Sequence, residues 1–294
     1  MDETPLGIAD FPEIREAGLF YADKTRFLYH LVKIKKPYFL SRPRRFGKTL
    51  LVSTLEAILQ GRRELFEGLW IDGADYGWEP SPVIRLSLSS VDTGSVDKLE
   101  ADLYSILKDI ADREDVTFNS VNPGVCFRKL IEGLRSKYGR SVAVLIDEYD
   151  SPILSKIADE SLAKDIRDTM GTFYGALKDA ESSRGVTFIT GITKFAQTSV
   201  FSKLNNLVDL TLNGDYACIC GLTLEDLDRF LAGQAGGPDP GDPLGRPRRL
   251  VKFISDGILP PETDGEGFRA RILERYDGYS WDGRSRVLNP WSVF

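Results

Sequence analysis

The segment Lys36-Pro37-Tyr38-Phe39-Leu40-Ser41-Arg42-Pro43-Arg44-Arg45-Phe46-Gly47-Lys48-Thr49-Leu50-Leu51 combines an apolar strand, a loop ending Gly-Lys-Thr and the start of an amphipathic helix. Its residue types suit the binding of a polyphosphate. Such a ligand needs several backbone N–H donors converging on it, and a loop running into a helix N-terminus supplies them along with the positive end of the helix dipole. Gly47 lets the backbone approach the phosphates, Lys48 reaches the terminal phosphates as a point charge, and the Thr49 hydroxyl takes one position on Mg²⁺. The expected binding stretch is Arg42–Leu50, with Phe46 and Leu50 completing the loop.

The pattern G-x-x-x-x-G-K-[ST] is met only in part, because Arg42 stands where its first glycine is expected. Pro43 locks its own φ and so offers a fixed turn into the loop. Arg42, Arg44 and Arg45 place three guanidinium groups beside the expected phosphates, a geometry suited to bidentate oxyanion recognition. An exposed basic turn also produces Gly-Lys-Thr by chance, so the reading requires a second half.

Ser141-Val142-Ala143-Val144-Leu145-Ile146-Asp147-Glu148 provides it. A continuous apolar run reads as a parallel strand covered on both faces, and acids at its carboxyl end fall where open α/β sheets bind ligands. Asp147 is assigned to the Mg²⁺ shell and Glu148 to polarising the attacking water. Asp150, followed by Ser151-Pro152, begins the next turn. A third strand, Gly185–Thr190, leads into Gly191-Ile192-Thr193-Lys194-Phe195. Thr190 and Thr193 are candidates for contacting the terminal phosphate or the water, and Lys194 for neutralising charge. A Thr-rich strand end satisfying its own turn is the competing explanation.

Positioning these groups requires strands that alternate with helices. Apolar spacing predicts helices over Thr25–Lys33, from Thr49 to a stop at Gly61, and over Val96–Arg113, Val125–Tyr138 and Ser161–Ala180. A strand-like run, Val83–Leu88, lies between the two motifs, and Leu207–Leu212 reads as the last strand. Together they predict an α/β fold with a mainly parallel sheet. From Leu222 the character changes: a short helix over Leu224–Leu231, with Thr223 and Asp226 in capping-box spacing, leads into a Gly/Pro-rich loop over 233–247. Helices near Leu250–Ser255 and Gly267–Tyr276 follow. The expected division is a nucleotide-binding core over 1–221 and a small helical lid over 222–294. Phe11, Ile14 and Tyr21 are either a wall for the base or core packing, with core packing favoured. Arg269, Arg271 and Arg275 are either sensor arginines or a solvated helix face, with the solvated face favoured.

The 294 residues are 42% hydrophobic and 28% charged, ordinary for a globular chain, with a formal charge of −6. That balance argues against broad adhesion to nucleic acid, and the Arg-rich loop accounts for one local basic patch. Cys126, Cys218 and Cys220 lack the spacing and partners of a zinc site and read as reduced thiols. The single histidine, His30, reads as structural. No apolar run approaches a membrane span, and Met1-Asp2-Glu3-Thr4 is acidic where a secretory signal is basic, so a cytoplasmic protein is expected.

The chain resembles prokaryotic AAA-ATPase-like proteins within the P-loop NTPases. The resemblance rests on Ile8–Arg15, Phe20–Thr25, Phe39–Thr49, Ile146-Asp147-Glu148-Tyr149-Asp150-Ser151-Pro152, Thr190–Phe195, Tyr276–Tyr279 and Asn289–Ser292, and so runs along nearly the whole sequence. It implies that Arg at the first-glycine position is the rule, that the nucleotide is ATP with Mg²⁺, and that the fold is a three-layer P-loop NTPase fold of the additional-strand, catalytic-glutamate type, with Val83–Leu88 as the extra strand. It also implies that many members carry a C-terminal nuclease-like module. The chain stops at Phe294, where that module is expected to begin, so nuclease activity is not carried over. The expected function is Mg²⁺-dependent ATP hydrolysis driving conformational change. The alternative is a nucleotide-dependent switch, with an arginine from a neighbouring subunit of a homo-oligomer, or a regulatory, DNA-associated module of a nuclease system.

Overall fold

A computed structural model describes residues 7–194, 201, 204, 206–232, 241–244, 246–256, 259–275 and 278–290. Phe195, Tyr276, Asp277, Trp291, Ser292 and most of the expected 233–247 loop lie outside the described residues. The chain divides into two compact units. One holds the described residues of 1–24, 45–51 and 212–294, and the other runs over 25–44 and 52–211.

The larger unit is built on a five-stranded sheet: β1 (Pro37–Ser41), β2 (Val83–Ser87), β3 (Val142–Asp147), β4 (Arg184–Gly191) and β5 (Val208–Asp209), in the order β2-β3-β4-β1-β5. Every pairing is parallel. β1 and β3 are buried along their whole length, as their unbroken apolar runs require of strands covered on both faces. The strand inserted between β1 and β3 is β4, whereas β2, the Val83–Leu88 run, pairs with β3 at the sheet edge. Separation along the chain therefore did not reveal which strand intervenes in space.

Helices α2 (Thr25–Ile34), α3 (Lys48–Leu59), α4 (Val96–Arg113), α5 (Pro123–Tyr138) and α7 (Glu160–Asp179) fall where the periodicity placed them, within a few residues. Their starts have local causes. The side chains of Ser95, Asn122 and Asp159 accept from Lys98 N, Val125 N and Leu162 N, and Pro123 occupies a first-turn position where its missing N–H costs nothing. α3 ends in a Schellman arrangement, with Arg62 N bonded to Ala57 O at 3.1 Å and Gly61 N to Ile58 O at 3.0 Å. A one-turn helix, α6 (Ser151–Leu154), follows β3. The core joins Val142, Val144 and Ile146 of β3, Ile84 and Leu86 of β2, and Ile189 of β4 to Leu103, Phe127, Leu130, Ile166 and Phe173 on α4, α5 and α7. Each such fully buried side chain contributes roughly 1.5–3 kcal/mol.

β5 is shorter than the Leu207–Leu212 expectation. The carboxylate of Asp209 takes the N–H of Thr211 at 2.8 Å, a local bond that turns the chain out of the ladder after Leu210 N has bonded Phe39 O at 2.8 Å.

In the other unit, α1 (Phe11–Glu16) is a helix that the sequence reading missed. Asp10 caps it by accepting from Glu13 N at 3.0 Å, and Pro12 lies in its first turn. Further along come α8 (Leu224–Ala232), α9 (Arg248–Ser255) and α10 (Gly265–Arg275). The capping box is reciprocal: Thr223 N donates to Asp226 at 2.9 Å and Asp226 N to the Thr223 hydroxyl at 3.1 Å. Leu227, Phe230 and Leu231 of α8 pack with Leu250, Phe268, Ile272, Leu222 and Leu288, with Phe20 and Ala22 against them. Lys24 donates to Asp226 at 2.5 Å, both side chains under 10% exposed. Arg249 lies 4.2 Å from the Phe230 ring centre. No described helix is long and apolar enough to cross a membrane.

Candidate functional site

The parallel register brings three strand ends to one edge of the sheet. Leu40 pairs with Thr190, Ser41 with Gly191, and Ile146 with Ile189, so Asp147, Thr190 and Ser41 finish side by side. Asp147 is 2% exposed, and its Oδ1 accepts from Glu148 N at 3.1 Å and from the Thr190 hydroxyl. A hydroxyl has one proton. Once that proton is given to Asp147, the Thr190 oxygen keeps only lone pairs, to which a water molecule, unlike a phosphate oxygen, can donate.

Glu148 is half-buried with φ +55°, in the left-handed region that L-residues avoid at a cost of roughly 1–2 kcal/mol. Strain of this kind clusters at active sites, where surrounding contacts over-determine it. Those contacts are Tyr149 N to Thr190 O at 2.9 Å and Ser151 N to Glu148 O at 3.0 Å.

The turn after β4 is bound to the same strand end. Asp150, 1% exposed, accepts from Ile192 N at 3.0 Å, Thr193 N at 2.7 Å and the Thr193 hydroxyl at 2.8 Å. The Tyr149 hydroxyl donates to Thr193 O at 2.9 Å. Burial pushes that phenol well above its ordinary pKa, with the nearby Asp150 charge adding to the shift, so it stays a neutral donor. Gly191 permits this closeness: a Cβ there meets the Tyr149 ring at 2.4 Å and Asp150 Oδ1 at 2.7 Å. Lys194 pairs with Asp209 at 2.8 Å, with 40% and 32% of the two side chains exposed. Burial raises the Asp209 carboxyl, and the bonds from Lys194 and Thr211 outweigh it, leaving the net pKa below the ordinary value.

At the start of the loop, Arg42 is 1% exposed and its Nη1 donates to Ser41 O at 3.0 Å and Thr211 O at 2.8 Å. Both bonds of this nitrogen go to main-chain carbonyls, one on the last residue of β1 and one just past β5. Ser41 N adds a bond to the Thr211 hydroxyl at 3.1 Å, and the Ser41 hydroxyl donates to Ile192 O at 2.8 Å. Pro43 is half-buried and Arg44 exposed.

From Arg45 to Leu51 the loop belongs to the other unit. Arg45 is exposed with φ +66°. Phe46 is fully buried, its ring centre 4.8 Å from that of Tyr279 and 5.9 Å from that of Trp281, and its carbonyl accepts from Gly221 N at 3.2 Å. Gly47 has φ +83°, which glycine adopts without steric cost, and its carbonyl accepts from Leu51 N at 2.9 Å. Lys48, 5% exposed, is the first residue of α3, and Thr49 and Leu50 are half-buried in its first turn.

The other expectations resolve more simply. Phe11 and Ile14 are fully buried, and Phe11 meets the Tyr21 ring edge-on at 4.9 Å, which is packing. Arg269 pairs with Asp228, Arg271 is exposed, and the side chain of Arg275 lies outside the described residues. A cavity of about 560 Å³, lined in part by Lys33, Lys35, Tyr76, Trp78, Arg135 and Arg140, opens at the amino-terminal edge of the sheet, away from the acids. Sequence reasoning missed Asp150 as an acceptor and Asp209 as the partner of Lys194. The one signal was type and place: acids in or just beyond apolar runs.

The model of the AAA-ATPase-like family, described as predicted AAA-ATPases, matches residues 5–201, which include β1, the Gly-Lys-Thr loop and the Asp147-Glu148 strand end. The chain belongs to that family. A relative from Azotobacter chroococcum mcd 1, named as an uncharacterized protein in the vnfD 5′ region, is 31% identical over 293 residues, 99% of this chain and 51% of the relative. The AAA-ATPase-like chain thus spans about half the length of that curated relative.

Proposed function

We propose that the chain binds Mg²⁺-ATP along Arg42–Leu50 and hydrolyses it, the resulting change of state driving conformational change. The observation that carries this reading is the alignment at one sheet edge. β1, which leads into the Gly-Lys-Thr loop, and β3, which ends in Asp147 and a strained Glu148, flank β4 in parallel register. A strand standing between the loop strand and the acidic strand supports the additional-strand, catalytic-glutamate type of P-loop fold.

In this reading Arg42 and Pro43 shape the start of the loop, Arg44 and Arg45 supply charge, and Phe46 anchors its apex. Gly47 gives close backbone approach, and Lys48 neutralises the terminal phosphates. The Thr49 hydroxyl and the Asp147 carboxylate are hard oxygen donors, which fits them to hold Mg²⁺. When bound, that ion supplies neutralisation of the phosphate charge. Glu148 takes the proton of the attacking water, held toward it by its left-handed backbone, while Thr190 keeps Asp147 oriented and Thr193 fixes the turn that carries Lys194. We assign residues 1–221 to the nucleotide-binding core and 222–294 to a helical lid region.

The test is direct. Purified protein hydrolyses ATP only with Mg²⁺, Lys48→Ala loses ATP binding, and Glu148→Gln keeps binding while turnover falls about 100-fold or more. Absence of ATP binding, or equal binding by Lys48→Ala, sinks the reading.

A further inference from the structure

We propose that Asp150 is a positioning residue of the hydrolytic site. Its carboxylate holds the Ile192–Lys194 turn in register with Glu148, so that turnover depends on it and nucleotide binding does not. The inference rests on the reading of Glu148 as the carboxylate base that takes a proton from water.

A carboxylate that is 1% exposed is kept inside a protein only when its lone pairs are satisfied, and the Asp150 carboxylate accepts from three donors of one turn: Ile192 N, Thr193 N and the Thr193 hydroxyl. Asp150 is two residues beyond Glu148 on the same short segment. Between them, Tyr149 bonds the turn region twice, through its N–H to Thr190 O and through its hydroxyl to Thr193 O. Tyr149 is itself held from behind, since the Tyr174 hydroxyl donates to its carbonyl at 3.2 Å. The left-handed backbone of Glu148 is therefore bracketed by bonds to β4 and its turn. With Asp150 in place the turn has one position, and without it two main-chain N–H groups lose their acceptor and the turn relaxes. Thr193 spends its hydroxyl proton on Asp150, and the same turn carries Lys194 to its pairing with Asp209.

The experiment compares the full chain with Asp150→Ala and Asp150→Asn. Titration with a fluorescent ATP analogue counts binding-competent sites and gives Kd, and steady-state hydrolysis is then expressed per competent site. For Asp150→Ala, Kd stays within about three-fold while kcat per site falls about ten-fold or more, the scale on which a misplaced catalytic group loses rate. Asp150→Asn recovers part of the loss, because its amide oxygen still accepts from Thr193. Amide exchange of the 190–194 region rises in Asp150→Ala while the Ala143–Ile146 region stays protected.

The proposal is overturned if kcat per site stays within about two-fold, or if site occupancy falls in step with kcat, as a purely structural role requires. Unchanged exchange at 190–194 overturns it as well. Failure of the ATPase reading shows separately, as wild-type protein without Mg²⁺-dependent turnover. Exchange then judges Asp150 alone: faster exchange confined to 190–194 supports the hold on the turn, and no change refutes it.

Discussion

The strand ends of the sheet and the helical unit around α8 to α10 solve the same problem, holding distant chain segments together, with different chemistry. At the strand ends, buried carboxylates satisfy main-chain N–H groups and hydroxyls: Asp147 takes Glu148 N and Thr190, and Asp150 takes Ile192 N and Thr193. In the helical unit the link is an ion pair across a sequence separation of 202 residues, Lys24 to Asp226, reinforced by aromatic packing around Phe230. Main-chain donors have fixed directions, so the strand-end bonds set geometry closely, as the proposed hydrolysis requires. A lysine on a flexible stem offers a point charge with little directionality, which suits closure more than positioning.

Removing one partner of the ion pair is the strongest way to break this contrast. Lys24→Ala leaves a buried Asp226 whose remaining side-chain donors come from Thr223, and the expected destabilisation is about 3 kcal/mol, the lower end for a broken buried pair. Denaturant unfolding measures the loss, and amide exchange locates it. Faster exchange over Thr223–Leu231 with β3 and β4 still protected supports the contrast, while equal loss in both regions breaks it.

Gly191→Ala tests the strand ends. A Cβ there lies 2.4 Å from the Tyr149 ring, so Tyr149 or the turn must shift, at an expected cost of about 1–3 kcal/mol. A variant whose melting temperature matches the parent shows that the strand ends tolerate displacement and are not closely set.

The smallest effect sharpens the comparison on the other side. Bonds from Arg284 N, Ser285 N and the Ser285 hydroxyl hold the Asp282 carboxyl at a pKa of about 2. A folded-state pKa below the unfolded value of roughly 3.9 means that its stabilisation is complete above that value and fades as pH falls through about 2. Asp282→Asn therefore lowers the urea midpoint at pH 7 by more than it does at pH 2 to 3. A difference that does not change with pH shows that the turn's stability does not depend on that charge.

Much of the sheet unit was legible because its signals are local. Apolar runs marked β1 and β3, a Thr-containing run marked β4, helical spacing marked α4 where the Ser95 cap begins it, and Gly-Lys-Thr with Asp147-Glu148 marked the candidate site. β5 was overestimated because Asp209 bonds its neighbour's N–H and ends the ladder, a competition between side chain and backbone that hydrophobicity does not register. α1 was missed because six residues are too few for periodicity, although Asp10 and Pro12 were start signals in plain view.

By itself the sequence determined the chemistry on offer: a Gly-Lys-Thr loop after one apolar strand and two acids at the end of another. Only the tertiary structure decided the hydrogen-bond partners of the groups around them. Strand order put β4 between the loop strand and the acids. Burial turned the Arg42 Nη1 toward carbonyls, and single hydroxyl protons committed Thr190 and Thr193 to carboxylates. Hydrogen-bond donors are finite and directional, so which partner each one serves depends on neighbours brought together from far along the chain.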